Sequence, residues 1–396
     1  MIDGVYIGLP HSEHIAQTDR LGSTDLTRLY TRRRGWWWSS INNPHYVPKK
    51  TEPMIFGDAW HCLSLEGRQA FQERFAVMPN PRDYPNLLTT ADDLYSALKA
   101  KGVEGLRKKM SKNDLVQMGK AYLDGAHIWD DIVERWERTA RDKKAISSAD
   151  AFAIEAMYGA ALQDDTFRSI CEAFGGVRLT EITVLWTLPD GIKLRYRFDS
   201  LLPSCNVDLK SLGDWRSKPL MQLALDRISN DHLDVQLAMS HLARQAAYEL
   251  IAAGEIFSII PQSGERFRAV GDYVTKETEW LRRFPGEAPL HGADGPGWGW
   301  AWLFYQKPED GAEPGLLPIQ VPWGNNYHVS GWRKIQIALT CYREAVKEFG
   351  LAKPWTRVHP VHTADQRVSA FRADMPMWHD MAEQQPGEME AMEWRK

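Results

Sequence analysis

The stretch 181-EITVLWTLPDGIKLRYRFDSLLPSCNVDLKS-211 decides the fold. Its first part alternates apolar and polar residues, breaks at Pro189-Asp190-Gly191 and alternates again. Two period-2 runs around a turn whose glycine tolerates positive φ predict a β-hairpin. Side chains alternate across a strand, so Ile192, Leu194, Tyr196 and Phe198 fall on one face, and Lys193, Arg195, Arg197 and Asp199 on the other. A third short run, Asn206 to Leu212, places Asp208 and Lys210 on a common face two residues apart.

Asp199 closes the second strand, while Asp208 and Lys210 lie on the third. Two carboxylates and a lysine at the ends of adjacent strands suit metal-dependent phosphodiester hydrolysis. Carboxylates are hard oxygen ligands for Mg²⁺, which keeps open positions for water and phosphate oxygens; Mn²⁺ is expected to substitute. The ion lowers the pKa of a bound water and neutralises charge building on the phosphate. Lys210 would orient the attacking water and stabilise developing negative charge. The competing reading of the same residues is a solvated strand face with ordinary charges, because D-x-K after an upstream Asp arises often by chance.

With 396 residues the chain can bury a large core, and length alone allows two or three domains. Its 43% hydrophobic and 25% charged residues place it among ordinary globular proteins. A net charge of −4 excludes blanket electrostatic attraction to nucleic acid, so any DNA contact must come from local basic patches. Cys62, Cys171, Cys205 and Cys341 are scattered without a C-x-x-C pair, which indicates neither a disulfide framework nor a zinc knuckle. The opening MIDGVYIGLPHSEH lacks a basic and then apolar leader, and no run approaches the ~18 apolar residues of a membrane span. The expectation is a soluble cytoplasmic protein with no membrane partner.

Several further stretches bear on function. Residues 1–20 read as an irregular lead-in. Arg32, Arg33 and Arg34 stand beside Trp36, Trp37 and Trp38. Such a group can grip phosphates and stack an unpaired base, or the tryptophans can cover the core while the arginines stay solvated. Phe56 to Gly67 reads as a helix ending at glycine. Within it His61 is either a metal ligand or a satisfied structural histidine, and Glu66 reads as a surface or capping residue. Residues 89–122 predict two short helices around a turn, with Lys101, Arg107, Lys108, Lys109 and Lys112 making the most basic local segment. They read equally as a small DNA-binding module and as an insertion with a solvated face. A helix from about Asp231 to Ala253 places Gln236 and Ser240 on one face. Residues 300–307 and 317–323 predict another strand pair, and a last helix spans about Gly331 to Phe349.

Five of these stretches, taken in order, resemble one family: G-S-T-D-L-T-R-L at 22–29, F-G-D-A-W-H-C-L-S-L-E-G at 56–67, R-F-D at 197–199, N-V-D-L-K-S at 206–211 and D-V-Q-L-A at 234–238. Together they are similar to the exonuclease VIII (RecE-type) proteins of phages and prophages, in the RecB-like branch of the PD-(D/E)xK nuclease superfamily. The resemblance implies an α/β fold, a restriction-endonuclease-like core with a central mixed sheet flanked by helices. It implies that His61, Asp199, Asp208 and the Leu209 carbonyl hold Mg²⁺, that Lys210 positions water, and that Gln236 belongs to a Q-x-x-x-Y helix contacting the DNA backbone. Glu181 stands where related exonucleases carry an acidic residue, which would bind a second metal or water. Ser240 departs from the family's tyrosine, with His241 and Tyr248 as nearby alternatives.

By the same resemblance residues 1–88 are the N-terminal part of the core, 89–125 a SAP-like insert, 126–380 the main core and 381–396 a disordered tail. The implied activity is 5′ to 3′ resection of linear double-stranded DNA ends in a bacterial host cell, leaving 3′ single strands for an annealing protein. Relatives also assemble as homo-oligomers. Two rivals use the same residues: a nicking or structure-specific endonuclease, and a DNA-binding recombination accessory with a decayed site.

Overall fold

The computed structural model describes residues 1–32, 35–40, 42–47, 51–107, 109–165, 167–168, 179–202, 205–213, 218–259, 266–268, 276–287, 299–308, 314–322 and 324–355. Arg33, Arg34, Lys108, the Gly/Pro-rich loop after Glu287 and the tail lie outside these residues. The chain opens with strand β1 (Gly4–Ile7); β2 (Phe75–Val77) and β3 (Lys144–Ile146) form a small parallel pair of their own. The main sheet continues through β4 (Thr180–Thr187), β5 (Lys193–Leu201), β6 (Cys205–Leu212), β7 (Ile256–Ile259), β8 (Arg266–Arg268), β9 (Gly299–Gln306) and β10 (Gly315–Val321). Among the described residues it has eight strands in the order β10-β9-β6-β5-β4-β1-β7-β8. The β6–β9 and β1–β7 pairs are parallel and the others antiparallel, so the sheet is mixed.

The predicted hairpin is β4–β5, in register from Thr180↔Ser200 to Thr187↔Lys193. The lead-in is not irregular. Residues 4–7 are sandwiched between β4 and β7, and His11–Ile15 forms a short helix. Four residues are too few for periodicity to register; two neighbouring strands supply what local propensity does not.

The strand β9 shows how the layers are arranged. Trp300, Trp302 and Phe304 enter one core with the helix Leu220–Asn230 and the start of the helix Leu233–Ala252. Ala301, Leu303 and Tyr305 enter another with the helices Glu52–His61 and Ser148–Gln163. A strand covered on both faces reads as a continuous apolar run, as GWAWLFYQ does. The first layer is completed by the long helices Ser23–Arg32 and Asn326–Phe349, whose apolar residues share a core with Leu194, Tyr196 and Phe198 of β5. Trp36 and Trp37 are buried in that core, so their indoles are not available for stacking on a base. Trp38 is half exposed, with its Nε1 donating to the Trp355 carbonyl at 3.0 Å.

The basic segment forms the helices Ala91–Ala100 and Lys112–Tyr122 as expected. A capping box at Thr90 and Asp93 starts the first, and Ser111 caps the second. Leu94, Leu98, Leu115, Val116 and Ile128 make a small core of their own, and the segment is closed at its base by a parallel bridge between Leu88 and Ile128.

Candidate metal centre

Strand β6 runs beside β9 along its whole length but beside β5 for two residue pairs, Ser200↔Val207 and Leu201↔Asn206. The strands part just where Asp199 and Asp208 would oppose each other. The alternation of β5 also breaks there: Phe198 and Leu201, three apart, enter the same core, which a strict period of two forbids. Where the strands separate, the Leu209 amide donates to the Asp199 carboxylate at 2.8 Å. Asp208 is buried, with its Oδ2 2.5 Å from Lys210 Nζ and its Oδ1 accepting from the Gln236 amide.

His61 arrives from the other layer. The helix Glu52–His61 does not continue regularly to Gly67; residues Cys62–Glu66 widen into a π turn that ends at Gly67 with φ +90°. Turns of this kind are often found at functional positions. Trp60 before it and Cys62, Leu63 and Leu65 after it are buried, while the His61 side chain stays 29% exposed. His61 Nδ1 lies 3.9 Å from Asp199 Oδ2. The Thr180 hydroxyl donates to the Leu65 carbonyl at 2.9 Å and ties β4 to the same turn.

Glu181 is next to this group. It lies between the pairs Thr180↔Ser200 and Ile182↔Phe198, hence across from Asp199, and has φ +60°. A left-handed backbone inside a strand is strained for a residue with a Cβ, and such strain clusters at functional sites. Its carboxylate is bound by Arg197 Nε, and Arg197 also donates to the Leu9 carbonyl at 2.7 Å.

The electrostatics follow from burying several acids together. Burial pushes Asp208 up to about 6, with Lys210 opposing and Asp199 reinforcing the shift. Asp199 is raised by the same burial against the pull of Lys210. Glu181 is raised to about 7 by burial, opposed by Arg197 and reinforced by Asp199 and Glu66. His61 is lowered to about 4, first by burial and then by the Lys210 charge. Its imidazole is therefore neutral at pH 7, the form that coordinates metals.

Among the described residues no three His, Cys, Asp or Glu side chains already form a metal-coordinating group. The donor set nevertheless fits a hard divalent ion: two carboxylates of unfavourably high proton affinity, a neutral imidazole, and a backbone carbonyl from the residue between Asp208 and Lys210. A cation there would offset the burial that raises both acids.

The structure thus brings together His61, Glu181, Asp199, Asp208, Leu209, Lys210 and Gln236. It does not bring in Arg32, exposed at the end of its helix, or Lys109, exposed between the insert helices; no described contact joins either to the centre. Sequence reasoning missed three supports. Glu66 is an exposed residue, as expected, but it is also bound to Arg74 and its charge adds to those that raise Glu181. Arg197 had been visible only as one charge on the polar face of β5. Arg244, fully buried, donates to the Asn206 side chain at 2.7 Å and the Leu202 carbonyl at 3.0 Å; nothing in a helical pattern marks such an arginine. Ser240 is buried and faces β6, accepting from Asn206 at 3.2 Å. The suggested stand-ins for a tyrosine there fail, because His241 packs in the interior against His328 and Tyr248 accepts from Arg244.

No protein-family model matches the chain, and no characterised protein sequence shows significant similarity to it. Among the described residues no helix is long and apolar enough to cross a membrane.

Proposed function

We propose that the chain is a divalent-metal-dependent deoxyribonuclease with a PD-(D/E)xK core, acting from the ends of linear duplex DNA. The observation that carries this is the meeting of His61, Asp199, Asp208, Leu209 and Lys210 where β5 and β6 part, with Gln236 on Asp208. His61, Asp199, Asp208 and the Leu209 carbonyl would hold Mg²⁺ or Mn²⁺. When bound, the ion supplies Lewis-acid activation of water and charge neutralisation at the phosphate. Lys210, released from Asp208, would stand as the cation that orients the attacking water and meets the developing phosphate charge. Gln236 keeps the Asp208 carboxylate turned toward the gap between the strands. Arg32, Arg33, Arg34, Lys108 and Lys109 would contact phosphates away from the scissile bond, which gives little sequence preference.

The direction of resection, the annealing partner and a ring-like homo-oligomer belong to the family resemblance alone. Digestion of end-labelled linear duplex beside closed circular plasmid, with Mg²⁺ and with EDTA, tests the reading. Mg²⁺-dependent loss of the linear DNA alone is expected, and the label lost first gives the polarity. Nicking of the circle would replace the exonuclease by an endonuclease, and binding without cleavage in Mg²⁺ or Mn²⁺ would leave only an accessory role.

A further inference from the structure

Gln236, Ser240 and Arg244 stand at intervals of four on the helix Leu233–Ala252, and each is bonded to β6 or to the turn that leads into it. Gln236 donates to the Asp208 carboxylate. One turn later the Ser240 hydroxyl accepts from the Asn206 amide at 3.2 Å and donates to the Leu237 carbonyl at 2.7 Å. Another turn on, the Arg244 guanidinium donates to the Asn206 side-chain oxygen at 2.7 Å and to the Leu202 carbonyl at 3.0 Å. Its Nε is held by the Tyr248 hydroxyl at 3.0 Å. Four residues of helix rise about 6 Å and two of strand about 6.6 Å. A helix running against a strand can therefore meet alternate strand residues with every fourth of its own. Asp208 and Asn206 are such alternate residues, and Leu202 lies beyond them, exchanging backbone bonds with Cys205 to close the β5–β6 turn.

We infer that Arg244 is a positioning residue for the proposed centre: by fastening Asn206 and the Leu202 carbonyl to the helix, it sets the register at which Gln236 meets Asp208. The inference rests on the nuclease reading above. A slip of either element by one step would carry Gln236 past Asp208 and break the other contacts with it. Arg244, Ser240 and Asn206 are 0% exposed, so water does not compete for these bonds. The plainer account is that buried polar groups merely satisfy one another. On that account their loss costs stability alone. As the fastening of a register, Arg244 also governs how Asp208 is held, and only while Gln236 is there to transmit the effect.

A double-mutant cycle on the full chain separates the two, with Mn²⁺ affinity read by calorimetry and thermal unfolding read in parallel. Gln236→Leu should weaken Mn²⁺ binding about 10- to 100-fold, as removal of a ligand's supporting group generally does. Arg244→Met, of similar length but without donors, should weaken it by about 3- to 10-fold. In the Gln236→Leu background the Arg244 change should add nothing. Ser240→Ala removes the middle contact alone; it should weaken binding about 2- to 5-fold, and it carries the same test if Arg244→Met does not fold. Arg20→Met is the control. Arg20 is 3% exposed and donates to the Trp186 carbonyl at 3.1 Å, at the other end of the hairpin, so its loss should lower the unfolding temperature and leave Mn²⁺ affinity unchanged. Unaltered Mn²⁺ affinity in Arg244→Met and Ser240→Ala, losses that add to that of Gln236→Leu, or an equal loss in Arg20→Met would overturn the positioning role while leaving the metal centre standing. Wild-type protein whose Mn²⁺ binding is absent, or survives Asp208→Asn, would remove the centre itself and the inference with it.

Discussion

Asp208 and Asp234 are two aspartates of nearly equal burial, 2% and 4% exposed, and each has a lysine against its Oδ2, at 2.5 and 2.7 Å. Their surroundings differ. Asp234, in the first turn of the helix Leu233–Ala252, accepts from the Ser330 hydroxyl at 2.6 Å, from Lys334 and from the Val235 amide at 3.0 Å. It fastens two helices so close that a Cβ on Gly331 would come within 1.9 Å of the Asp234 carbonyl oxygen. Lys334 is fixed in turn over the Tyr30 ring and beside His232. Asp208 instead shares its environment with a second acid, Asp199, and its lysine lies two residues along the same strand. A carboxylate meant only to hold structure is surrounded by donors. One placed beside another carboxylate and a neutral histidine is held in a costly state that a cation would relieve.

The sharpest way to break this contrast is to delete both acids. Asp208→Ala or Lys210→Ala should lower nuclease activity on linear duplex by about 10³-fold or more, with the fold retained. Asp234→Ala should behave in the reverse manner. It leaves half-buried Lys334 and the Ser330 hydroxyl without their shared carboxylate between two closely packed helices, and losing such a partner typically destabilises by about 1–3 kcal/mol. Urea unfolding of the three variants, read beside their specific activity, makes the comparison. An Asp234→Ala protein of wild-type stability, or an active Asp208→Ala protein, would show that the two aspartates had been assigned the wrong way round.

The hairpin, the third strand and the helix carrying Gln236 were legible because their period-2 and period-3.6 patterns run long enough to survive noise. Asp199, Asp208 and Lys210 were legible as residue types on adjacent strands, and the meeting of His61 with them through the family resemblance. What remained hidden was nonlocal. The π turn after His61 depends on how its flanks pack, the left-handed Glu181 on its ion-pair partner Arg197 across the hairpin, and the buried Arg244 on a strand 38 residues away in sequence. The short β1 owes its existence to strands contributed from beyond residue 179. Ser240 looked like a lost DNA contact, whereas the fold turns that position toward the sheet, where its hydroxyl accepts from the Asn206 amide.

A gentler substitution sharpens the same comparison through pH. Asp208 has a folded pKa of about 6, raised first by burial, against about 4 for a free aspartate. Between these values the folded chain binds more protons than the unfolded one, so stability falls as pH rises through that window and stays lower above it. Asp208→Asn removes the buried charge. It should therefore gain about 1–2 kcal/mol over wild type at pH 8 and nothing at pH 4, less than the ~3 kcal/mol of a full two-unit shift because the Lys210 contact is weakened too. Mg²⁺ should stabilise the wild type at pH 8, since a ligand bound only by the folded form adds RT ln(1 + [L]/Kd), and should leave the Asn variant unmoved. Asp234→Asn has no second acid to be relieved of and forfeits its bond to Lys334, so it should lose stability at pH 8. Urea titrations of both variants at pH 4 and 8, with and without Mg²⁺, read all of these signs. If Asp208→Asn lost stability at pH 8 as Asp234→Asn does, Asp208 would be a structural carboxylate after all, and the distinction between the two would collapse.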